Sequence, residues 1–268
     1  MKITTITAMA LCLLASSANA QFLKKIAKGA ERAVFNSAAE KAMEGMMSTD
    51  GFGGAVDPSV LPASYAYNWR YTLRMEHEEG TMDIHYHLRP NGTDFASRME
   101  MEQQTMMGGM LTVMDQQRGV VAILMEMQGN KAGQVMAMDN GTLDSEAAQN
   151  EMGDMEFKEI GTKKILGHTC HGYRIENDDM TMTMYVAFDT PVSMNKVTAQ
   201  ELKRMPKGFN PKWMDKLGKE NLMMEMQMVH KRKKKHNATI TCVALEEEPM
   251  TIAISEYDFS FQKALQRQ

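Results

Sequence analysis

From Tyr65 onward apolar and polar residues alternate. Tyr65, Tyr67, Trp69, Tyr71, Leu73 and Met75 share one parity, while Asn68, Arg70, Thr72, Arg74 and Glu76 share the other. A period of two with β-favouring aromatics predicts a strand with one buried face. Glu79-Gly80 marks a turn, and Met82, Ile84, Tyr86 and Leu88 then alternate with Asp83, His85, His87 and Arg89. These two runs predict an antiparallel hairpin. Pro90-Asn91-Gly92 turns the chain again, and a third strand is expected over Phe95 to Glu102.

Met110 to Asp115 is expected to be a strand, and so is Val120 to Met127, which is apolar on both parities until Glu126. Gly129 to Gly133 reads as a turn, Gln134 to Met138 as a short strand, and the acidic Asn140 to Met155 as a long connection or short helix. The second half repeats the meander. Gly161 to Cys170 leads into His171 to Glu176, and Asn177-Asp178-Asp179 forms a hairpin tip. Met180, Met182, Met184, Val186 and Phe188 follow on one face. Thr198 to Met205 and Pro211 to Leu217 predict short helices, the first opened by Thr198 with Glu201 three residues on. Asn221 to His230, Asn237 to Glu246 and Met250 to Phe261 predict three more strands. Short connections throughout require antiparallel pairing. The expected fold is α+β and mostly β: a curved antiparallel sheet or partial β-barrel, with an N-terminal helix and short helices against one face or mouth.

The N-terminus has a different pattern. Met1 to Ala20 has Lys2, a short apolar run over Ala8 to Ala15, and Ala18-Asn19-Ala20 before Gln21. That is the layout of a secretory signal peptide. The apolar run is well short of the roughly 20 residues needed to span a bilayer, so no transmembrane segment is expected. Leu11 before Cys12 argues against a lipid-modified cysteine. Gln21 to Met47 predicts a helix, with Phe22, Ile26 and Val34 on a loose stripe. Ser48 to Pro62 is Gly/Pro-rich and reads as linker. Residues 1–20 are thus the signal, 21–62 a helix and linker, and 63–268 one β-rich domain.

Composition changes this picture in one respect. Met accounts for 30 of 268 residues, more than Leu, Ile, Val or Phe individually, so Met must supply much of the core. The formal charge of −4 gives no electrostatic case for nucleic acid. In an oxidising compartment Cys170 and Cys242 could pair as a disulfide or remain buried thiols.

Three constellations could carry chemistry. Met180, Met182 and Met184, together with Met224, Met226 and Met228, would line one sheet face. Unbranched thioether side chains re-pack around varied apolar ligands. The partner expected on that reading is a lipid or a lipidated protein, with no cofactor. His85, His87, His168, Cys170 and His171 are soft or borderline donors that suit copper(I), the alternative reading; a strand face simply filled with Met explains the same spacing. The Lys231 to Lys235 run reads as a solvated loop tip. The sequence has no Gly-x-Ser-x-Gly elbow, no His-Glu-x-x-His pair and no phosphate loop, so a non-catalytic protein is expected. A purely structural envelope protein with a partner-binding surface is the third reading. The oligomeric state is not specified.

Three segments together resemble a secreted bacterial family, domain of unknown function 4412. They are Tyr67-Asn68-Trp69-Arg70-Tyr71 leading to Met75-Glu76, the stretch from Met114-Asp115 to Met125, and Lys163-Lys164-Ile165-Leu166-Gly167-His168-Thr169-Cys170-His171-Gly172-Tyr173-Arg174-Ile175. The resemblance spans Tyr65 to Phe261 and implies a Gram-negative periplasmic or extracellular protein. It supplies no residue roles. The strand-rich layout is also similar to outer-membrane lipoprotein carriers, whose curved half-barrel holds acyl chains under helices; this is likeness of fold alone.

Overall fold

The computed structural model describes residues 52–78, 80–101, 110–127, 129–138, 156–176, 178, 180–194, 220–232 and 237–260. The signal, the N-terminal helix, the Asn140 to Met155 connection and both helices expected between Thr198 and Leu217 lie outside them.

Twelve strands form one sheet. They are β1 (Phe52–Ala55), β2 (Ser64–His77), β3 (Gly80–Leu88), β4 (Asp94–Met101), β5 (Met110–Asp115), β6 (Val120–Met127), β7 (Asn130–Met138), β8 (Glu156–Ile165), β9 (His168–Glu176), β10 (Met180–Ala187), β11 (Leu222–His230) and β12 (Ala238–Ala253). The order is β1-β7-β6-β5-β4-β3-β2-β12-β11-β10-β9-β8, and every neighbouring pair is antiparallel. Two meanders, β2 to β7 and β8 to β12, are therefore welded along the β2–β12 ladder, from Ala238↔His77 to Ala253↔Ser64. Among the described residues β1 and β8 stand at the two ends of the sheet order, so the sheet is open. An open sheet of this width must coil.

Several elements differ from expectation. The linker holds β1, paired with β7, and a 3-10 turn at Pro58–Val60 whose Asp57 side chain accepts from the Ser59 amide at 2.9 Å. The expected turn at Gly129 to Gly133 is shorter, because β7 already begins at Asn130. Gly133 is an inner strand position left bare for a neighbour: the Phe259 ring stands 2.3 Å from where a Cβ would sit. The two strands expected over Asn237 to Phe261 are largely one strand, β12, with bulges at Cys242/Ala244 and Glu247/Met250. Each bulge inserts a residue and breaks the alternation. Glu246 to Glu248, at and beyond the end of the first of those expected strands, lies within β12, with Pro249 at the second bulge.

The β8–β9 hairpin closes through two residues, Leu166 and Gly167, both with positive φ (48° and 85°). This is a type I′ turn, whose first position favours Asn, Asp or Gly. Leu166 is also 49% exposed, so its side chain gains little there. Leu166→Asn is expected to raise the unfolding free energy by about 1 kcal/mol, read as a shift in urea midpoint at constant m-value.

The core lies on both faces of the sheet. One cluster joins Tyr71, Leu73 and Met75 to Ile84, Tyr86, Phe95, Met182, Met226 and Ile240. A second joins Tyr65 and Tyr67 to Ala96, Val113, Ala122, Val135 and Ile252. Phe95 and Ala96 are successive on β4 and point to opposite faces, so the two clusters lie on opposite faces of β4, although the tyrosines that β2 gives to each share one parity. The N-terminal end of β2 and the C-terminal end of β12 pack over β4 to β7, and Asp258 ties that end to β7 through Gly133 N–H (2.9 Å) and Lys131 C=O (2.9 Å).

Candidate functional site

The methionine face follows from register. Tyr173, Met184 and Met226 are successive partners across β9, β10 and β11. Met226 pairs with Ile240, Ile240 with Met75, and Met75 with Met82. Directly opposite residues share a face, so this row crosses six strands with four thioethers in it. A parallel row runs Ile175, Met182, Met228 and Ala238. Met180, Met182, Met184, Met224 and Met226 are 0–7% exposed, and Met228 is half-buried. β10 and β11 shift register between Tyr185 and Val186; Met224, Leu222, Ala187 and Cys170 cluster with Met182 and Met226, whereas Met184 packs with Tyr173 and Val186 in a smaller cluster. Among the described residues outside the strands, Val192 and Met194 also enter the larger cluster. No second sheet packs on this face among the described residues. Tyr71, a member of the same larger cluster, donates its hydroxyl to the Met223 carbonyl.

The expected soft donors do not converge. His85 and His87 lie on β3, while His168, Cys170 and His171 lie on β9, five strands further along the sheet order, about 24 Å at ordinary strand spacing. Cys170 is buried, and the Cys170 thiol donates to the His168 carbonyl at 3.5 Å. His171 is exposed and meets the Phe188 ring edge-on. His168 Nδ1 is 3.1 Å from Asp189. Among the described residues no three His, Cys, Asp or Glu side chains group as a metal site. Cys170 and Cys242 are both free and buried, on strands separated by β10 and β11. Burial pushes the Cys242 thiol up to about 12, and the thiol donates to the Ala244 carbonyl at 3.4 Å, so it is not a ready nucleophile.

The opposite face of β2 and β3 is polar. Arg74 forms a two-pronged ion pair with Asp83, 2.8 Å at each bond, and these bonds hold the Asp83 carboxyl below its usual range. Arg70 reaches Glu246 at 2.7 Å and Glu248 at 3.2 Å. The Thr72 hydroxyl is 3.0 Å from His85 Nδ1. His87, expected on a solvated face, is only 6% exposed, and its Nδ1 has no hydrogen-bond partner. Burial lowers its pKa to about 4, with Arg98, His85 and Arg70 adding to the effect and Glu248 opposing it. An unfolded His takes its proton near 6.5. The unfolded chain therefore binds more protons between those values, and stability falls as pH drops from about 6.5 to 4. The wild type should lose about 2 kcal/mol more than His87→Gln over that window, measured by urea unfolding at stepped pH.

Sequence reasoning passed over one arrangement entirely. Asp94 and Asp115 are opposite partners on β4 and β5, 3% and 1% exposed. Tyr65 donates to Asp115 at 3.0 Å and Tyr67 to Asp94 at 3.3 Å. Arg118 binds Asp115 through its backbone N–H (3.0 Å) and its guanidinium (2.8 Å), and Arg89 pairs with Asp94. The tyrosine rings stack at 6.5 Å with planes 3° apart. Burial, then the adjacent carboxylates, raise both phenols far above their ordinary range, so they stay protonated donors.

The family described as Domain of unknown function (DUF4412) matches residues 70–240. The chain belongs to this family. Within the DUF4412 match, the Lys163 to Ile175 segment is the β8–β9 hairpin with its Leu166-Gly167 turn. No curated protein matches the chain. Among solved structures it is similar to PNGF-II, at 12% identity and TM-score 0.36 over 72% of this chain and 30% of that one. It is similar to MucB in complex with MucA(peri), at 10% identity and TM-score 0.36 over 73% of this chain and 53% of that one. A LolA superfamily protein from Nitrosomonas europaea matches at 7% identity and TM-score 0.26 over 70% of this chain and 88% of that one. The chain thus spans about a third to a half of the first two. Among the described residues no helix is long and apolar enough to cross a membrane.

Proposed function

We propose that this DUF4412 protein is exported and holds an apolar ligand, a lipid or acyl chain, against its methionine face without catalysing a reaction. One observation carries the reading: a cross-sheet row of unbranched thioethers on a face that no second sheet covers among the described residues. Leu or Ile would fill that volume equally well, but a Met side chain can change rotamer around a guest at low cost. Each methylene of a guest removed from water contributes about 0.8 kcal/mol, so an acyl chain of ordinary length gains enough to displace side-chain packing. The leader pattern of Met1 to Ala20 supports export. Asp94 and Asp115, each engaged by a tyrosine and an arginine, are read as groups that hold strands together.

The test is titration of the protein with a dansyl-labelled undecanoic acid. Saturable binding near one equivalent, competed by unlabelled fatty acid, is expected. Met184→Leu/Met226→Leu keeps volume but stiffens the face, and should weaken binding about tenfold. Thr183→Ala on the opposite face should leave it unchanged. Failure of the folded wild type to show saturable binding would sink the reading.

A further inference from the structure

The β10–β11 ladder has a second property, independent of the apolar-ligand reading. Three consecutive rungs on one face pair Met180 with His230, Met182 with Met228, and Met184 with Met226. Every position is a thioether or an imidazole, and none is branched. A hydrophobic core explains the methionines but not a histidine completing their row. We propose that the outer two rungs, Met180, Met182, Met228 and His230, form a site for a soft monovalent cation of the copper(I) class.

Geometry favours convergence. Directly opposite Cβ atoms on such a ladder stand about 5 Å apart, and successive same-face positions about 7 Å apart. Each sulfur lies two bonds beyond its Cβ, so sulfurs from two rungs can reach one point at a metal–sulfur distance of roughly 2.3 Å. Burial is graded along β11 only: His230 and Met228 are half-buried and Met226 is 3% exposed, whereas Met180 and Met182 on β10 are 2% and 6% exposed. The cation therefore reaches the site from the His230 end without crossing the core. Three neutral thioethers and one imidazole select a soft ion over zinc or magnesium. A single positive charge at a half-buried end also costs far less than a divalent ion at the inner rung Met184/Met226.

Copper(I) is titrated anaerobically into the whole protein against bicinchoninate, with silver(I) as a redox-inert check and methionine-methyl NMR as the second readout. One equivalent should be withheld from the chelator, with methyl shifts at Met180, Met182 and Met228. Met182→Leu/Met228→Leu and, separately, the half-buried His230→Gln should each cut affinity at least tenfold with circular dichroism unchanged. Met250→Leu, in the other core cluster, should not. Cys170→Ala/Cys242→Ala should retain the site. Complete transfer of copper to the chelator, undiminished binding in His230→Gln, or loss of binding in the cysteine variant would each overturn the assignment.

Discussion

Asp115→Ala is expected to lower the unfolding free energy by about 3 kcal/mol, the low end for breaking a buried ion pair. The carboxylate is 1% exposed and satisfies three donors, the Tyr65 hydroxyl, the Arg118 amide and the Arg118 guanidinium. Removing it does not harm them equally. The Arg118 side chain is 37% exposed and can turn to water, which is why the expected loss is held to the low end. Tyr65 is 3% exposed, and its hydroxyl would be stranded, a penalty of about 1–3 kcal/mol by itself. Asp115→Asn keeps an acceptor for Tyr65 and should lose less. Tyr65→Phe removes the stranded donor, so the double variant Tyr65→Phe/Asp115→Ala should be more stable than the sum of the single losses predicts. A urea-unfolding double-mutant cycle measures the coupling; a value within 0.5 kcal/mol of zero would mean that the two side chains do not act together.

Truncation in the methionine row should be comparably severe. Met226→Ala removes a side chain 3% exposed, in one cluster with Ile240, Met182 and Met224, and is expected to cost about 3 kcal/mol through lost transfer and the cavity left behind. Met226→Leu conserves volume and should cost less than about 1.5 kcal/mol. The contrast separates packing from ligand binding. If the row served packing alone, leucine would be nearly silent in every assay; on the proposed reading it is nearly silent in denaturant and visible in the acyl-probe titration.

Much of this layout can be read in the chain, and the exceptions have physical causes. β2, β3, β5, β10 and β11 announce themselves because one face of each is more buried than the other, and β6 because Val120 to Leu124 is an apolar run buried on both faces. β8 does not, since it is an edge strand whose described side chains are exposed or half-buried on both parities, leaving no alternation to detect. β12 reads as two strands because its bulges reset the parity. The methionine positions follow from spacing along single strands, but which methionine faces which, and that His230 completes the row, depends on registers between segments about 50 residues apart. Asp94 and Asp115 were hidden for a similar reason. Their tyrosines lie 27 and 50 residues away, and 34 acidic residues give no means of choosing two.

The weld between β2 and β12 also governs when the protein can fold. Each meander is built from neighbours in sequence and can form as its hairpins emerge. The ladder joining them pairs residues such as Arg70 and Glu246, 176 apart, and contacts of that separation form slowly. Until residue 253 is available, β2 has an open edge and its tyrosines have no Ile252 to meet. β12 is thus the closing bolt, and the sheet stays in two halves until that strand has been made.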